Sequence, residues 1–287
     1  MKDLEFPALY CAADDLSIQA QKHFYHALRF HLILLVFAAA ISVFYNKQVW
    51  LAVVQSLVLL ATLAASVYLA VTRPERIWYN ARAVAESVKT LTWRYVMRAE
   101  PFNIADSSAR RKFLKTLSDI LTQNKELAGK LNSHIEGDQV TDEMERLRSM
   151  SFEQRRLTYL NDRVENQKSW YVGKSRANRR AGKRFFIALI VCNAIATILS
   201  ILRITFPNAE YWPTDILLAL SGSLLAWIQS KRFGELASSY SLAATEIGII
   251  GHQLMSIRTE DAFSGYVGDS ENAFSREHTQ WVARKDV

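Results

Sequence analysis

The chain is 287 residues long, half of them apolar, and carries 35 Lys and Arg against 28 Asp and Glu for a formal net charge of +7. The lack of low complexity excludes disordered and fibrous classes, and two Cys exclude a disulfide scaffold. The positive excess points toward nucleic acid until the charges are located.

The apolar residues are gathered into four runs. Leu32–Phe44 reads LILLVFAAAISVF and extends backward through Phe30 and Leu28. Val49–Val71 is 23 residues without a charge, Phe185–Leu202 is 18 residues between Arg184 and Arg203, and Ile216–Ser230 is 15 residues between Asp215 and Lys231. A helix needs about 20 residues to cross the hydrocarbon core. The second and third runs meet this directly. The first does so by its extension, and the fourth by taking Tyr211, Trp212 and Pro213 as interfacial residues. The expectation is an all-α membrane protein with four transmembrane helices, at about 30–46, 49–72, 185–202 and 213–230. These form two hairpins extended by a cytoplasmic helical bundle; a soluble bundle is the competing reading.

Charge placement favours the membrane. Three basic residues (Lys2, Lys22, Arg29) precede the first run, Lys47 stands alone in the first hairpin loop and Arg203 in the second. Residues 73–184 hold 24 basic and 14 acidic residues, a local net of +10. The positive-inside rule then puts both termini and the central segment in the cytoplasm. Asp3, Glu5, Asp14 and Asp15 before the first run argue against a cleavable signal peptide.

Residues 73–98 are expected to be helical and to continue from the second span, with Pro74 either near a helix start or producing a kink and Pro101 ending the helix. Trp78, Arg82, Glu86, Lys89 and Trp93 share one face, so Arg82–Glu86 and Glu86–Lys89 can pair. Such a face is either a locally neutralised packing surface or a ligand contact. In the latter, Arg82, Lys89 and Arg94 meet phosphate and Trp93 stacks on a base. Ser107 is a candidate cap for the next helix, in which Phe113, Leu114, Leu117, Ile120, Leu121, Leu127, Ala128 and Leu131 keep amphipathic spacing. Residues 133–139 read as a turn, and Thr141 with Asp142 and Glu143 as a helix start. Lys174, Arg176, Arg179, Arg180, Lys183 and Arg184, with Lys168 just upstream, then cluster ahead of the third run. They serve either membrane-surface charge and topology or, with Arg176, Arg179 and Arg180, an oligonucleotide funnel.

The spans contain no fully charged residue, which argues against a proton pump or voltage sensor. Asn193, Thr197 and Ser200 fall on one face of the third span and suit either a wet pore lining or interhelical hydrogen bonds. There is no phosphate-binding glycine loop, nucleophile elbow or metal-ligand spacing, so neither catalysis, cofactor nor metal is expected. His23, His26 and His31 read as interfacial residues, and Cys192 as a small apolar one.

The layout of hairpin, cytoplasmic stretch and hairpin suggests an internal duplication. Gln21-Lys-His-Phe-Tyr25 precedes the first hairpin and Gln167-Lys-Ser-Trp-Tyr171 the second; Ala83-Val-Ala-Glu86 follows the first and Ala243-Ala-Thr-Glu246 the second. The chain resembles the SLATT family, the SMODS- and SLOG-associating two-transmembrane effector domains of bacterial conflict systems. The carrying residues are Arg82-Ala-x-Ala-Glu86-Ser-x-Lys-Thr-x-x-Trp93-Arg94 and Pro101-Phe102 in the first half. In the second they are Arg163-x-x-x-Gln167-x-x-Trp170-Tyr171, Tyr240-x-x-x-Ala-Thr-Glu246, and Glu271-x-x-x-Ser275-x-Glu277-x-x-x-Trp281.

The resemblance implies two tandem modules, residues 1–136 and 137–287. It also implies a homo-oligomeric pore or ion channel, a tetramer being one stoichiometry, that acts in anti-phage defence by disrupting the bacterial inner membrane. Its expected partners are lipid and a cyclic or linear oligonucleotide made by a nucleotidyltransferase, and double-stranded DNA is not one of them. A non-conducting scaffold recruiting a toxic partner and a housekeeping channel are the alternatives.

Overall fold

A computed structural model describes residues 5–44, 48–131, 136–206 and 208–283, with side chains as far as residue 275. Lys2 and Lys47 lie outside the described residues, as do part of the expected 133–139 turn, His134, and the side chains of Glu277, His278 and Trp281.

The described residues are mostly helical, without a strand among them. In chain order the helices are α1 (Ala8–Phe44), α2 (Val49–Thr72), α3 (Pro74–Val96), α4 (Asp106–Gln123), α5 (Lys125–Ala128), α6 (Asp142–Ser149) and α7 (Phe152–Thr158). A π-helical stretch, Tyr159–Glu165, leads into α8 (Asn166–Thr205), followed by α9 (Thr214–Lys231), α10 (Phe233–Leu254) and α11 (Glu260–Ala283).

Three helical stretches are long and apolar enough to cross a membrane: Ala8–Phe44, Val49–Val96 (which takes in α2 and α3) and Phe152–Thr205. Only 11%, 11% and 6% of their most apolar windows are buried. Side chains such as Ile33, Leu60, Ile198 and Ile204 stand open, as they would against lipid rather than in a soluble core. The fourth apolar run does form a helix, α9, but it is not one of these three. Thr214, Asp215, Gln229, Ser230 and Lys231 at its ends leave too short an apolar stretch.

The helix ends differ from the sequence expectation in instructive ways. Arg73 adopts a left-handed conformation (φ 42°), separating α2 from α3, and its N–H returns to Leu69 O. Arg232 (φ 49°) does the same between α9 and α10, returning to Ile228 O. Helices α2 and α9 thus each end on an Arg in a conformation that glycine usually supplies. Helix α3 stops at Val96, before Pro101, because Arg98 also takes a positive φ of 54°. Ser107 lies inside α4 rather than capping it: the helix starts at Asp106, whose carboxylate is held by Arg98 and Arg148. The amphipathic stretch breaks at Asn124, so that Phe113, Leu117, Leu127 and Leu131 are buried while Leu114 and Leu121 face outward. Thr141 caps α6 as expected, its hydroxyl accepting from Met144 N at 3.3 Å.

The chain divides into two compact units, each drawing on both sequence halves. One comprises Met1–Gln21, Glu75–Gly173 and Tyr240–Val287; the other comprises Lys22–Pro74 and Lys174–Ser239 and contains the four apolar runs. The first unit has a conventional core, with Trp93, Tyr95, Phe102, Phe113, Tyr159 and Phe263 fully buried. Within the second, α1 touches its neighbours through a few polar contacts. Gln55 Nε2 donates to Ala38 O at 3.4 Å, His31 Nδ1 lies 3.3 Å from Ser66 Oγ, and Ser223 Oγ donates to Leu32 O at 3.4 Å.

Candidate functional site

The first unit is built around buried charge. On α3, Arg82 pairs with Glu86 at 2.5 Å and Lys89 lies 3.9 Å from the other carboxylate oxygen, the two pairs that helical spacing anticipates. Glu86 is only 4% exposed. Arg82 also binds Asp14 at 2.9 Å, a partner 68 positions away that no local pattern reveals. Burial lowers the Lys89 ammonium from its usual range, and the Glu86 carboxylate acts against that shift.

The other half of the network comes from the π-helical stretch, the start of α8, and α11. Arg163 Nε donates to Glu271 Oε1 at 2.8 Å and its Nη2 to Glu271 Oε2 at 2.6 Å, with both residues buried. Tyr159 adds its hydroxyl to Glu271 Oε1 at 2.9 Å, and Gln167 accepts from Arg163 at 3.3 Å. The Arg163 guanidinium lies 4.9 Å from the Phe274 ring centroid. Burial pushes the Tyr159 phenol well above its ordinary range, with the Glu271 charge adding to it. The Arg163 field reaches Lys89 and the Glu86 field reaches Arg163, so both sequence halves contribute to one charge cluster.

Two further arginines act as posts. Arg148, 1% exposed, donates to Asp106 Oδ1 and to the carbonyls of Tyr95, Phe102 and Ile104, pinning the α3–α4 connection. Arg155, 2% exposed, reaches Met97 O at 2.8 Å and pairs with Glu260. Their sequence surroundings carry no signal for this, because each serves backbone carbonyls about 50 positions away.

The residues expected to bind a nucleotide separate into different environments. Trp93 is fully buried and meets Tyr159 edge-to-face at 5.8 Å, so its ring offers no face to a base; this corrects the stacking role. Arg82 and Lys89 are engaged with carboxylates. Arg94 Nη2 donates to Gly268 O at 2.9 Å and Asn272 Oδ1 at 2.6 Å, which ties α3 to α11. In the second unit, Arg176, Arg179 and Arg180 are exposed along α8. Asn193, Thr197 and Ser200 are also exposed there, the Thr197 hydroxyl donating to Asn193 O at 2.9 Å within its own helix. Among the described residues no cluster of His, Cys, Asp and Glu could hold a metal ion.

Two family models match the chain. "SMODS and SLOG-associating 2TM effector domain 3" covers residues 7–156, and "SMODS and SLOG-associating 2TM effector domain 1" covers residues 159–281. No curated protein and no solved structure matches it.

Proposed function

The chain belongs to the SLATT family of two-transmembrane effector domains associated with defence systems, as two domains in tandem; from that premise we propose that it is a pore-forming membrane effector. In this reading the four apolar runs span the bacterial inner membrane as two hairpins with both termini in the cytoplasm. The unit rich in buried ion pairs lies on the cytoplasmic side, and several copies together line a conducting path. Four slender spans are too few to enclose a channel, so a homo-oligomer is required. A cyclic or linear oligonucleotide from a partner nucleotidyltransferase sets the closed–open balance, which demands different affinities for the two states.

The observation that carries the reading is the nearly bare apolar surface of three membrane-length helices in a chain of tandem two-transmembrane effector domains. The phosphate-bearing signal is best met by the exposed Arg176, Arg179 and Arg180. Arg82 and Lys89 already have carboxylate partners, and withdrawing them would take two cations from the buried Glu86 carboxylate. Asn193, Thr197 and Ser200 supply the polar stripe for the conducting face.

Purified full-length protein in dye-loaded liposomes tests this. The proposal expects leakage whose rate changes when candidate oligonucleotides are added. Intact liposomes under both conditions favour a non-conducting scaffold, and steady leakage indifferent to nucleotides favours a housekeeping channel; either result defeats the proposal.

A further inference from the structure

In the second unit, α1 and α9 bring two cations to one pair of aromatic rings. Lys231 Nζ lies 3.3 Å from the Tyr25 ring centroid and 5.2 Å from that of Trp227. The Arg29 guanidinium lies 5.6 Å from the Trp227 centroid, and the two rings meet edge-to-face at 5.6 Å. Arg29 Nε donates to Tyr25 O at 3.1 Å, which fixes the guanidinium beside the rings. The two cations are close enough to repel each other. Among the described residues neither forms an ion pair, and Glu235, four residues after Lys231 in the sequence, pairs with Arg232.

Cation–π contact offsets part of the cost of crowding two like charges; an anion between them would offset the rest. Position selects the kind of anion. Arg29 immediately precedes Phe30 at the start of the first apolar run, and Lys231 immediately follows Ser230 at the end of the fourth. Tyr and Trp at such run ends belong to the headgroup layer of a bilayer, where basic side chains meet lipid phosphate. We propose that Arg29 and Lys231, seated on Tyr25 and Trp227, form a binding site for the phosphate of an anionic phospholipid. The site rests on the bilayer reading of the apolar runs and is independent of whether the protein conducts.

Native mass spectrometry of the detergent-purified full chain tests it, with equal phosphatidylglycerol and phosphatidylcholine as probes. Wild type retains phosphatidylglycerol preferentially. Each cation contributes about fivefold, so Arg29→Gln/Lys231→Gln retains it roughly 25-fold less well. Lys231→Arg, which keeps the charge, retains it. Lys112→Gln/Lys115→Gln, an equal charge loss on exposed α4, leaves it unchanged. If circular dichroism shows that the double variant has lost helix, Lys231→Gln alone carries the test, with about a fivefold loss. Equal retention by wild type and the Arg29/Lys231 variants overturns the site, as does an equal loss in the α4 control. Displacement of the lipid by soluble triadenylate at matching concentration would assign the cations to a free phosphate and overturn the lipid site. A failed leakage experiment would leave all of these results untouched.

Discussion

Arg163 and Glu271 stand 108 positions apart and meet as a two-pronged ion pair, Nε to Oε1 at 2.8 Å and Nη2 to Oε2 at 2.6 Å, with both side chains shut away from solvent. Tyr159, Gln167 and Phe274 complete the shell around them. The pair joins the π-helical stretch to α11 and, through the Glu86 and Lys89 fields, the second family match to the first.

Removing one member leaves the other charged and buried, which costs about 3–5 kcal/mol. Arg163→Met and Glu271→Leu should each lower the thermal midpoint of the purified protein sharply. The double variant should lose much less than the two losses combined, because no bare charge remains. Strictly additive losses by differential scanning calorimetry would show that the pair is not coupled.

Arg73 occupies a left-handed conformation at about 1 kcal/mol or more above its ordinary state. Arg73→Gly should therefore stabilise the chain by roughly 0.5–1 kcal/mol, visible as a small rise in thermal midpoint. A fall would mean that the Arg73 side chain contributes more than its backbone costs.

Burial pushes the Tyr266 phenol up to about 12, with its hydroxyl donating to Ile250 O at 2.8 Å. An unfolded Tyr ionises near about 10, so above that pH the folded chain holds the extra proton and stability falls as pH rises toward 12. Tyr159 acts in the same sense, whereas Lys89, lowered in the folded chain, acts in the opposite one. Tyr266→Phe should cost about 1 kcal/mol at neutral pH and make the alkaline decline shallower without abolishing it. Thermal midpoints measured at about pH 8 and about pH 11 check this; an unchanged decline contradicts it.

Replacing Arg176, Arg179 and Arg180 together by Gln should weaken binding of a single-stranded oligonucleotide and flatten its salt dependence, by about 0.7 in log–log slope for each phosphate that is no longer neutralised. Trp93→Phe should leave affinity unchanged, since the ring is buried. Fluorescence anisotropy across a salt series measures both. Loss of binding in Trp93→Phe with retention in the triple variant would invert the assignment.

Much of the fold is legible in the sequence. Uncharged runs such as Val49–Val71 announce themselves by length, and the Arg82–Glu86–Lys89 row by helical spacing. Residues carrying the family resemblance proved to be partners in space within each half: Arg82 pairs with buried Glu86, and Arg163, Gln167 and Glu271 share one buried cluster. What stayed hidden depends on distant contacts. Asp14 beside Arg82 and the carbonyls gathered by Arg148 leave no periodic trace. Trp93 illustrates the opposite error: an aromatic residue between cations reads as a stacking platform, yet its helix turns it into the core, while Glu246, matched to Glu86 by repeat, stands exposed. The left-handed Arg73 and Arg232 were equally hidden, since turn chemistry leads one to look for glycine.

The central claim, a nucleotide-controlled conducting oligomer, is tested most directly by recording current across a planar bilayer holding the purified full-length chain at fixed voltage. The account predicts discrete conductance steps whose frequency changes on adding a cyclic or linear oligonucleotide and whose amplitude changes in Asn193→Leu. A silent bilayer, or steps indifferent to every oligonucleotide tried, would contradict it.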